Sequence, residues 1–176
     1  MNRMRIALVA AVALALVLGC RTVRIQPRPP IAVPSELTLE QVELAILAAV
    51  ANESPAVAIT PGSEGSVARI EAAKIGALRS QKPAGDGWFP ESIEPDAIVA
   101  TFQKAHFSLR VRIRYTQYEV ITEILDSRHL KQSRSAIHFR AIEWLEELET
   151  RIRRSLGALA VLRSGTGIED PGAMLD

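Results

Sequence analysis

Four sets of residues have types and spacings that could do chemistry. In "LRVRIRY", Arg110, Arg112 and Arg114 recur at every second position. On a strand that spacing puts three guanidinium groups in one row, able to hold phosphate, lipopolysaccharide, a glycan or an acidic partner. In "DSRH", Asp126, Ser127 and His129 have the residue types of a catalytic triad. Adjacency along a chain does not deliver triad geometry, and Asp126-Ser127 also reads as a strand end and a turn. His106, His129 and His138 are the only histidines, and none is three or four residues from another. Without that helical ligand spacing, no metal site is expected. The fourth candidate is Cys20, the only cysteine, which closes the most apolar stretch of the chain.

No serine or threonine elbow, no pair of acids in contrasting settings and no phosphate-cradling glycine loop is present. The chain is therefore expected to be no enzyme, with no catalytic residues and no cofactor. The candidate binding residues are Arg110, Arg112 and Arg114 on the strand, and Asp126, Ser127, His129 and His138 around the loop that follows. Trp88 and Trp144 could mark a groove, but an edge strand and a helix stripe favour packing for both.

Cys20 follows an export signal: Arg3 and Arg5 give a positive start, Ile6 to Leu18 carry no charge, and small Gly19 precedes the thiol. The uncharged run is shorter than the roughly 20 residues a membrane-crossing helix needs. Leu16-Val17-Leu18-Gly19-Cys20 resembles the lipobox of bacterial lipoproteins, with valine where leucine is commonest. The resemblance implies diacylglycerol on the Cys20 thiol, cleavage before it, and acylation of the new amine by a chain such as palmitate. Several acyl chains, at about 0.8 kcal/mol per buried methylene, would anchor the protein permanently. With Cys20 so used, disulfides, thiolate metal sites and cysteine nucleophiles drop out. Arg21 stands where an aspartate commonly signals inner-membrane retention. By resemblance this implies the periplasmic face of the outer membrane.

The whole chain has 21 Lys+Arg against 20 Asp+Glu, and removal of Arg3 and Arg5 leaves a near-neutral remainder. That balance speaks against a nucleic-acid partner. The expected partners are the membrane, through the N-terminal lipid, and an envelope protein or component. Residues 1–19 are then signal, 20–36 a proline-rich tether, 37–157 one domain with an insertion at 53–87, and 158–176 a flexible tail.

The tether holds Pro27, Pro29, Pro30 and Pro34 and reads as an extended, solvated spacer whose arginines could also touch lipid headgroups. A helix is expected from about 39 to 52, capped by Thr38 with Gln41, with Val42, Ala45, Ile46, Ala49 and Val50 on one face. The insertion is punctuated by Pro55, Pro61, Gly62, Gly65, Pro83, Gly85 and Gly87, and only "SVARIEAAKIGALRSQ" has helical character.

From Trp88 the period becomes two. Phe107, Leu109, Val111, Ile113 and Tyr115 share one face, opposite Ser108 and the three arginines. If Thr116-Gln117 is a two-residue turn, Tyr115 meets Tyr118, Arg114 meets Glu119 and Arg110 meets Glu123, which leaves Arg112 the free member of the row. Ile98, Ala100 and Phe102 form a preceding strand. Trp88 to Ile93 makes a first strand, which Pro90 assigns to a sheet edge. A last helix follows, capped by Ser135, stopped by Gly157, and striped with Ile137, Ala141, Trp144, Leu145, Leu148, Ile152 and Leu156. The expected fold class is α+β: a two-layer sandwich of a four-stranded antiparallel meander with two amphipathic helices packed on one face.

"YEVITEILDSRHL" and "AIHFRAIEWLEELETRI" together resemble a family of small uncharacterised proteobacterial lipoproteins. Gly87-Trp88, Tyr115, Asp126-Ser127, Leu130, Ile137-His138 and Trp144 match its pattern over residues 87 to about 156, as does the first helix. Ala141 stands where the family tends to have tyrosine, and the insertion is extra. The resemblance implies the fold and an envelope location, and no activity.

Overall fold

The computed structural model describes residues 22–52 and 85–165. Cys20 and the export signal, most of the insertion with its expected helix, and the last residues of the tail lie outside the described residues. The chain is α+β, with two helices, a five-stranded antiparallel sheet and a two-stranded sheet. No helix of the described residues is long and apolar enough to cross a membrane.

The stretch read as a solvated tether joins the fold instead. β1 (Thr22–Arg24) pairs antiparallel with β7 (Ala136–His138), and β2 (Ile31–Ala32) pairs with the start of β6 (Glu119–Arg128). Ile31 is buried, and Val23, Ile25 and Val33 pack against the core. Prolines at 27, 29, 30 and 34 leave this segment only short stretches with backbone donors, so its strands are short and lie at sheet edges.

α1 (Leu39–Ala51) forms as its sequence dictates. Thr38 Oγ1 accepts from the Gln41 N–H, the Gln41 side chain accepts from the Thr38 N–H, and Asn52 ends the helix in the left-handed region. Leu44, Leu47 and Ala48 are buried as well as the expected stripe. A helix buried on nearly every side matches its almost uninterrupted apolar sequence.

The meander runs β3 (Gly87–Glu94), β4 (Ala97–Lys104), β5 (Phe107–Tyr115) and β6, and the sheet order is β2-β6-β5-β4-β3. Gly87 opens β3 with φ of 148°, a backbone region that L side chains rarely adopt. Pro90 lies on the edge strand beside a bulge that turns Glu91 out of register. Alternate residues of the strands enter one buried cluster with both helices, Ile98, Ala100, Leu109, Val111 and Ile113 at its centre.

The β5–β6 register differs from the expected one by two residues. Tyr115 pairs with Val120, Ile113 with Thr122 and Arg112 with Glu123. Thr-Gln lacks the residues that accept the positive φ of a two-residue hairpin turn, and the Thr116 hydroxyl instead accepts from the Tyr118 and Glu119 N–H groups, holding a wider loop. A slip of two keeps every side chain on its face but changes its neighbours. Tyr118, expected on the inner face, is 80% exposed in that loop.

α2 (Phe139–Gly165) starts later and ends later than its sequence suggested. Residues 136–138 are taken by β7, so Ser135 does not cap the helix, and His138 Nδ1 accepts from the Arg140 N–H at 3.3 Å. Gly157 does not stop it. A mid-helix glycine costs only about 1 kcal/mol relative to alanine, less than the burial of Leu159 two residues on stabilises.

Candidate functional site

The outer sheet face is a compensated charge ladder. Arg110 Nε donates to Glu91 Oε2 at 2.7 Å and Nη1 lies 3.6 Å from Asp126; Arg114 donates to Glu123 at 2.6 Å; Arg112 Nη2 lies 3.9 Å from Glu94. The hydrogen bond and the charge of Glu91 hold the Arg110 guanidinium above its ordinary pKa. The expected partners Glu119 for Arg114 and Glu123 for Arg110 are corrected by the register. Arg112, expected to be free, has Glu94 beside it and Glu123 across from it, although its Nε is buried without a hydrogen bond among the described residues. Four carboxylates thus surround three guanidinium groups. An open basic stripe for a large anion is absent from this face.

A second bulge, between Arg110 and Val111 in the pairing, swings the end of β6. Beyond it Asp126 faces Arg110 and Ser127 faces Leu109. Here a cleft of about 510 Å3 opens, lined by Glu91, His106, Ser108, Arg110, Ser127 and Arg128 among others. Ser127 Oγ is buried with no hydrogen-bond partner among the described residues. The His106 and His129 rings lie 5.5 Å apart, edge to face. His129 and Lys131 both have positive φ, which lets Leu130 between them drop into the core at 2% exposure.

The structure therefore gathers Arg110, Asp126 and Ser127 at one cleft, with His129 next to its His106. Arg112 and Arg114 lie further along the ladder. His138 lines a different cavity, of about 380 Å3, with Lys104, Arg140 and Trp144. Trp144 stacks on Phe102 at 4.4 Å and Phe102 packs against Trp88 at 5.3 Å, so both tryptophans serve packing. Asp126, Ser127 and His129 make no triad hydrogen bonds to one another. No group of acids and histidines among the described residues could hold a metal ion.

One polar centre reverses a sequence expectation, in which the glutamates of the last helix form a solvated face with Glu149 paired to Arg153. Glu149 of α2 is 2% exposed, and it accepts from Arg28 Nη2 at 2.8 Å, from Arg28 Nε at 3.2 Å and from the Thr122 hydroxyl at 2.6 Å. Arg28 also reaches Glu146, and Arg153 lies 3.8 Å from Glu149. Burial alone would raise the Glu149 pKa, but the hydrogen bonds from Arg28 and Thr122 and the charges of Arg28 and Arg153 outweigh it and hold the carboxyl below its ordinary range. The Glu149 hydrogen bond in turn raises the Arg28 pKa against the opposing effect of burial. The signal was available: Glu149 falls four residues after Leu145 and three before Ile152, inside the apolar stripe.

Comparisons with protein-family models, with curated proteins and with solved structures gave no match.

Proposed function

We propose that this chain is a lipid-anchored, non-enzymatic binding domain of the bacterial cell envelope, held through Cys20 at the periplasmic face of the outer membrane. It belongs with the small proteobacterial lipoproteins that its Gly87-Trp88 and Ile137-His138 patterns resemble, as a two-layer α+β sandwich. One observation carries the reading. A single residue, Arg21, separates the lipobox-like cysteine from β1, and β1 and the Arg28–Glu149 pair fasten that segment to the domain. Lipid on Cys20 would then hold a rigid domain at the membrane rather than a domain on a loose leash.

The cleft around Arg110, Asp126 and Ser127 is the binding element of this reading. It carries both signs of charge, imidazole and hydroxyl groups, which suits a polar envelope protein or component. A photo-crosslinking residue replacing Ser108 in the cleft should capture one reproducible envelope species in cells, and the same residue replacing exposed Tyr118 should not. Capture from neither position above background would remove the cleft from the proposal. A second reading, binding of a small molecule or an anionic glycan or lipid, is favoured by the cleft volume, which lies in the range of about 300–1,000 Å3 typical of ligand pockets. Thermal stabilisation by cell-wall fragments, with no protein captured, would select it.

A further inference from the structure

The end of the domain that bears β1 has a one-sided chemistry. Two covalent steps, through Arg21, limit the Cys20 Cα to within about 7 Å of the Thr22 Cα. Thr22 pairs with His138, so the start of α2 and the loop before β7 sit beside the proposed anchor. From Ser127 to Ile142 the chain carries Arg128, Lys131, Arg134 and Arg140 and no aspartate or glutamate. β1 adds exposed Arg24, paired with Ala136, and the next residue's N–H donates to the Ser135 carbonyl. Acids at this end have partners: Asp126 lies 3.6 Å from Arg110, and Asp86 accepts from the Ala105 N–H at 3.1 Å. Glu143 pairs with Arg140 at 3.1 Å and offsets part of its charge, which leaves Lys104 as the main cation of the cavity that His138 lines.

The cavity beside His138 has a matching form. Phe107, Leu130 and Trp144 supply apolar walls, and exposed Lys104 and Arg140 supply cations. An apolar wall with cations beside it fits the headgroup end of an anionic phospholipid, whose phosphate and glycerol region sits at the boundary of charge and hydrocarbon.

We propose that this end of the fold lies on the membrane surface and seats an anionic phospholipid headgroup between Lys104 and Arg140. The proposal rests on the anchor at Cys20, which fixes which end of the domain meets the membrane. The occupant follows from the short covalent reach and the charge complementarity. A near-neutral protein with its cations gathered beside its lipid would be held in one orientation, with the β5–β6 loop and Tyr118 facing away.

The test uses the lipidated protein reconstituted in vesicles of phosphatidylcholine, with and without phosphatidylglycerol, and reads amide hydrogen exchange. Exchange across residues 128–140 should slow several-fold on the anionic vesicles only, and the protection should vanish in high salt and in Lys104→Glu with Arg140→Glu. Both side chains are exposed, so that pair leaves the fold intact. Exchange in the Tyr118 loop should not change. Equal exchange across 128–140 on the two kinds of vesicle would overturn the proposal, as would protection that the charge reversals leave in place. Intact mass of the same sample reports the acyl chains independently. An unacylated Cys20 would remove the anchor, while the vesicle comparison would still decide the basic end.

Discussion

Arg28→Ala should lower the stability of the domain by about 3–5 kcal/mol, the usual cost of leaving one member of a buried ion pair without its partner. Glu149 is 2% exposed and has Arg28 as its only bidentate donor among the described residues. Thr122 and Arg153 cannot replace a fork that donates twice. Chemical denaturation of the full chain, followed by tryptophan fluorescence, checks the loss, and a cost below about 1 kcal/mol would show the pair to be a surface contact. The same pair sets an acid dependence. The folded-state pKa of Glu149 is below its ordinary value of 4.5, so its contribution is full above that value and is lost as pH falls through the lower folded value. Stability of the natural chain should therefore fall more steeply below about pH 4.5 than that of Glu149→Gln.

Leu159→Ala should cost about 2–4 kcal/mol, and Val161→Ala, 70% exposed and two residues on, less than about 0.5 kcal/mol. A flexible tail after Gly157 would make both neutral. Leu159 is 1% exposed on a helix that continues to Gly165, so its removal opens a cavity at the end of the core. The two denaturation midpoints, measured side by side, separate these outcomes.

Much of the fold was legible because its patterns were strong. The capping box at Thr38 and Gln41, the period-two run from Phe107 to Tyr115 and the edge proline at Pro90 each follow from local geometry, and each is found in place. Two features were not legible because each depends on a distant partner, and a third because a local side chain sets the turn. Prolines made residues 20–36 look like a spacer, but β7 and β6 supply the strands that β1 and β2 need. Gly157 looked like a stop because glycine weakens a helix locally, and burial of Leu159 decides otherwise. The β5–β6 turn was judged by residue count, whereas the Thr116 hydroxyl sets its width.

The candidate site was half legible. Arg110 of the strand row and Asp126 and Ser127 of the following loop, named as separate candidates, line one cleft. The open basic row around Arg112 did not survive, because Glu91 and Glu94 of β3 reach across the sheet to Arg110 and Arg112. β3 lies one strand beyond the neighbour of β5, and the sequence offers no local sign that its acids reach the row.

Membrane attachment through Cys20 is the central claim, and mass spectrometry of the N-terminal peptide from the purified protein, beside membrane fractionation of Cys20→Ala, tests it most directly. A chain beginning at Cys20 with acyl mass on that residue is expected, together with release of Cys20→Ala from the membrane. An N-terminus elsewhere without acyl mass, or a Cys20→Ala chain that stays in the membrane fraction, would contradict it.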